Sequence, residues 1–87
     1  MVTEPVIYSD YKHHYGYDVA VEVTGPIKSN PVDPSDNRSH YVAKYSIYFN
    51  GEELLDSEVW LQQHFQTKDA AMLEAFVLGR HAADLLR

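Results

Sequence analysis

Five histidines, two acids on one strand and a scatter of serines are the residues of this chain that could do chemistry. His13 and His14, flanked by Tyr11 and Tyr15 and joined in space by His40 or His64, are the one grouping that resembles a set of metal ligands. Side chains alternate along an extended segment, so adjacent histidines point to opposite faces and one ion cannot take both without a turn. Asp56 and Glu58 would lie about 6 to 7 Å apart on one face of a strand, a separation suited to an acid–base pair. Alternate acids on an exposed strand more often serve solvation. Ser9, Ser29, Ser35, Ser39, Ser46 and Ser57 offer hydroxyls, but none stands in a nucleophile elbow, and the Asp and His spacings single out no triad. The expectation is a chain that is not an enzyme and carries no metal and no cofactor.

The elements that must position these residues fit in one domain, because 87 residues leave no room for a second core. A composition 45% hydrophobic and 13% aromatic, with seven tyrosines, is enough to fold without a metal or disulfide. With no cysteine, disulfides and thiolate metal sites are excluded. The first residues lack a basic and an apolar signal region, and no apolar run approaches the roughly 18 residues of a membrane span. A soluble, cytoplasmic chain is expected. Thirteen acidic against seven dispersed basic residues give a formal net charge of −6, which disfavours nucleic acid as a partner.

Residues 1 to 16 show neither a helical stripe nor clean alternation and read as an irregular or edge segment. From Tyr17 the pattern is strict: Tyr17, Val19, Val21 and Val23 point one way, Asp18, Ala20, Glu22 and Thr24 the other. Residues 25 to 39 hold Pro26, Pro31 and Pro34 among Ser, Asn and Asp, which predicts a long mobile loop. Strands at 41–49 and 54–61 meet at Asn50-Gly51. A two-residue turn would mix core and solvent residues on both faces, so a three-residue loop is expected, with Gly51 as bulge residue and Tyr48 opposite Glu52. Tyr45 then meets Leu55, Ala43 meets Ser57, Tyr41 meets Val59 and Lys44 meets Asp56.

Thr67 is the expected N-cap of a helix reaching Leu86, with Asp69 in its first turn. Ala71, Ala75, Leu78, Ala82 and Leu86 share one face, with Gly79 close by and Met72 and Leu85 on the flanks. That face should cover Val19, Val21, Ala43, Tyr45, Ile47, Leu55, Val59 and Leu61. The result is an α+β domain: a three-stranded antiparallel sheet with one C-terminal helix on one face.

Two apolar surfaces are left over. Val42, Tyr48, Leu54 and Trp60 fall on the far face of the sheet, and Leu73 and Val77 form an i, i+4 pair on the far side of the helix. Either the N-terminal segment folds back over the sheet face, or these six residues form an interaction surface for an unknown protein partner or for a second copy of the chain.

The order strand, strand, strand, helix, with Gln63-His64-Phe65-Gln66-Thr67-Lys68-Asp69-Ala70 at the helix start, resembles the small partial domain of HicB-like antitoxins over residues 17 to 87. That resemblance implies an interaction module that sits on a toxin; the DNA-binding segment joined to the domain in that group has no counterpart here. The same order also resembles a double-stranded-RNA-binding domain, with Thr67-Lys68-Asp69-Ala70-Ala71 where that family begins its lysine-rich helix. Here Lys68 is a single cation opposed by Asp69, and the net charge has the wrong sign for phosphate contacts.

Overall fold

The alternation from Tyr17 places Val19, Val21 and Val23 on one face of a long central strand, where all three are buried. The computed structural model describes residues 5–29, 32, 33, 35, 38–54 and 57–86. Its elements are β1 (Val6–His14), β2 (Tyr17–Lys28), β3 (Ser39–Phe49), β4 (Glu52–Glu53), β5 (Val59–Trp60) and α1 (Lys68–Leu85). The strands form one antiparallel sheet in the order β1-β2-β3, with β4 and β5 one after the other along the outer edge of β3. Helix α1 packs on one face, so the α+β architecture is the expected one, with five strands in place of three.

One additional strand is the N-terminal segment; the other arises because β4 and β5 stand where a single third strand is expected. Tyr15 and Gly16 both take positive φ, 49° and 88°, the geometry of a two-residue hairpin turn, and β1 pairs with β2 from His14↔Tyr17 to Val6↔Gly25. It therefore does not fold back over the far face. Its alternation is hidden because the residues that face α1 are polar or amphipathic. Lys12 Nζ lies 4.8 Å from the Phe76 ring centre, Lys68 Nζ lies 4.9 Å from that of Tyr8, and His14 Nε2 is 2.8 Å from Asp84 Oδ1. Long side chains and rings bridge from the edge strand to the helix, a role that hydrophobic periodicity does not register.

The stretch expected as a loop from 25 to 39 is shorter. β2 and β3 stay paired to Lys28↔Ser39 beyond a bulge between Thr24 and Ile27, which takes up the Gly25-Pro26 step, and Ser29 N–H donates to the Arg38 carbonyl at 3.0 Å. A bulge accommodates a proline that a regular ladder would exclude. Pro31, Pro34 and their neighbours at 30, 36 and 37 lie outside the described residues.

The hairpin after β3 also departs from expectation. Asn50 and Gly51, with φ of 53° and 82°, form a two-residue turn, and Phe49 pairs with Glu52 and Tyr48 with Glu53. The mixing of faces that this turn would impose is corrected further along the chain. After Leu54 N–H donates to the Ile47 carbonyl, the chain leaves the ladder and rejoins it three positions out of step, with Tyr45 opposite Val59 and Lys44 opposite Trp60. Ser57 fills the gap: its Oγ accepts from Ile47 N–H at 3.1 Å and donates to the Ile47 carbonyl at 3.2 Å. An odd offset inverts parity, because strand side chains alternate. Further on, Leu61 N–H donates to the Ala43 carbonyl and Tyr41 pairs with Phe65. The expected pairs of Tyr45 with Leu55, Lys44 with Asp56, Ala43 with Ser57 and Tyr41 with Val59 are thus all replaced; Leu55 and Asp56 themselves lie outside the described residues.

Thr67 caps α1 as expected, its Oγ1 accepting from Ala70 N–H at 3.1 Å. The buried stripe, Ala71, Ala75, Phe76, Gly79 and Ala83, is rotated from the expected one, and Leu78, Leu85 and Leu86 are exposed. The small residues at intervals of four let the helix axis approach β2, and Phe76 fills the space toward β1. Val59, expected in the core, is 41% exposed, whereas Phe65 and Phe76 are buried. Among the described residues no helix is long and apolar enough to cross a membrane.

Candidate interaction surface

The face of the sheet away from α1 carries Asp18, Ala20, Glu22 and Thr24 from β2, Val42, Lys44, Ser46 and Tyr48 from β3, and Trp60 from β5. Lys44 organises it. Its Nζ is 3.3 Å from Glu22 Oε2 and 3.4 Å from Glu58 Oε2, and it stands 5.2 Å from the centre of the Trp60 ring. Partial desolvation alone would lower the Lys44 pKa, but the two carboxylates outweigh it and raise it above the ordinary lysine value. The indole is thus held by a cation that two acids hold in turn, and Trp60 remains 50% exposed.

The six apolar residues singled out from sequence do not form one patch. Val42 and Tyr48 are half-buried on the open face, and Trp60 lies on that face as parity requires. Leu54 does not join them. Its register with Ile47 turns it to the helix side, where it packs against the core. Leu73 and Val77 are 64% and 41% exposed on α1.

What the sequence reading missed is a groove between β5 and the C-terminal half of α1. It measures about 450 Å³ and is lined by Tyr45, Val59, Leu61, Leu78, Ala82 and Leu85, with Trp60, Gln62, Gln63 and His81 beside them. All six apolar residues are expected in, beside or under the helix stripe, yet Val59, Leu78 and Leu85 are exposed. Their exposure follows from β5 being two residues long and from the rotation of α1, which together leave the sheet edge uncovered.

The histidines diverge as strand parity demands. His13 Nδ1 is 3.0 Å from Asp18 Oδ1 on the open face, and His14 reaches Asp84 on the helix side. His40 and His64 stack with ring centres 4.1 Å apart and planes 8° from parallel, and Ser29 Oγ lies 3.0 Å from His40 Nδ1. Burial first, and the neighbouring His64 second, hold the His40 pKa below the usual histidine value. Among the described residues no three metal-ligating side chains converge. No protein-family model, no curated protein and no solved structure matches the chain.

Proposed function

We propose that this chain is a small non-enzymatic interaction module that takes apolar side chains of a protein partner into the groove between β5 and α1. The observation that carries this reading is the groove itself, apolar along both walls with Tyr45 among its lining residues, and with Trp60 on the strand beside it, its ring on the opposite face of the sheet next to Lys44. An exposed apolar groove of this kind is where a partner's apolar side chains can be desolvated and binding energy concentrated. The acids around Lys44 and the net charge of −6 favour a protein over a polyanion. The resemblance to HicB-like antitoxin domains points the same way, toward a folded protein as partner.

The test is titration of the purified chain with a short amphipathic leucine-rich peptide, followed by Trp60 emission. Leu85→Glu should abolish the response and Leu73→Glu should leave it intact, since only Leu85 lines the groove. Equal responses from both variants would reject the groove as the contact.

A further inference from the structure

The edge of the sheet opposite the groove is β1, nine residues with no strand on its outer side among the described residues. We propose that β1 pairs with β1 of a second copy of this chain, antiparallel, about a two-fold axis through Tyr11, joining the two sheets into one. The direction of the free backbone groups fixes the geometry. Tyr11 N–H donates to its neighbour's carboxylate, Asp10 Oδ1, at 2.8 Å, so it points away from β2. Alternate residues share that direction, and the outward backbone groups are therefore those of Ile7, Ser9, Tyr11 and His13. With the axis at Tyr11 the two copies exchange N–H and carbonyl at Tyr11 itself, and residues 8 to 14 of each strand pair.

Charge selects this register from its neighbours. An axis at Tyr11 sets Asp10 opposite the partner's Lys12 and Lys12 opposite the partner's Asp10, two favourable cross-strand pairs on the helix side of the sheet. An axis at Asp10 or Lys12 would bring like charges face to face, and one at Ser9 would set both charges against uncharged residues. The carboxylate that holds Tyr11 N–H in the single chain is released to the partner's ammonium when the partner's carbonyl takes that N–H. Pairing also brings together on the open face the two Tyr11 rings, each 69% exposed in the single chain. Self-association of this kind uses the opposite sheet edge from the groove and does not depend on it.

Sedimentation of the full chain over a concentration series should give a monomer–dimer equilibrium. Lys12→Asp and Asp10→Lys should each weaken the dimer roughly tenfold or more, because each turns two attractive pairs into two repulsive ones, and the double swap Asp10→Lys with Lys12→Asp should restore it. Since the chain has no cysteine, Tyr11→Cys should form a disulfide dimer under mild oxidation far faster than Ile7→Cys, whose two copies stand apart in this register. A chain monomeric at millimolar concentration, a double swap that fails to restore the dimer, or equal cross-linking at positions 7 and 11 would overturn the proposal.

Discussion

Gly79 lies directly over Val19: a Cβ at position 79 would run into Val19 Cγ1, with the Tyr45 side chain next nearest. The helix sits this close because Ala71, Ala75, Gly79 and Ala83 present almost no side chain to the sheet. Gly79→Ala should therefore destabilise the fold by about 1 to 3 kcal/mol through overpacking, against the roughly 1 kcal/mol that alanine gains over glycine in an exposed helix. Urea denaturation checks the sign. Val19→Ala in the same chain should relieve part of the loss, giving a clearly non-additive double mutant.

The Asn50-Gly51 turn makes a second, separable demand. Gly51 has φ of 82° with open space around the position of its missing Cβ, so backbone conformation alone opposes substitution. Gly51→Val should cost at least roughly 1 kcal/mol, read as a lowered denaturation midpoint.

Ser57 is the residue on which the register of β5 depends, because its hydroxyl serves both backbone groups of Ile47. Ser57→Ala should cost about 1 to 3 kcal/mol as those part-buried groups lose a partner. Amide exchange should accelerate at Ile47 and at Val59 to Leu61 before it does in β2.

Much of this fold is legible in the residues, and the exceptions have physical causes. The valine alternation of β2, the Thr67 cap, the divergence of His13 from His14 and the side on which Trp60 lies all follow from local periodicity. β1 is legible only as an irregular or edge segment, and the edge reading holds; its strand alternation is obscured because its helix-facing positions include Asp10, Lys12 and His14. The true hairpin register is hidden because a side chain, Ser57, substitutes for ladder hydrogen bonds across an irregular stretch, a choice made by tertiary context. That same stretch decides the fate of Leu54, which joins the core, and of Val59, which leaves it. The groove depends on the rotation of α1, which puts Gly79 over Val19 and Phe76 beside Lys12, a choice that the helical pattern alone does not specify.

The stacked pair His40 and His64 should make stability depend on pH. Because the folded state holds the His40 pKa below its ordinary 6.5, the unfolded chain binds the proton more readily. The contribution is fully present above pH 6.5 and is lost as pH falls through and below it. Denaturation midpoints between pH 8 and 5 should decline, and His64→Phe, which keeps a ring in the stack without its charge, should lessen that decline only in part, because burial is the larger cause of the His40 shift.

Amide chemical-shift mapping of the labelled chain during titration with the leucine-rich peptide tests the interaction reading most directly. The perturbed amides should cluster at Val59 to Gln63 and Leu78 to Leu85, on the two walls of the groove. Perturbation confined to Val42, Ser46 and Tyr48 on the open sheet face, or to Leu73 and Val77 on the outer helix, would contradict it.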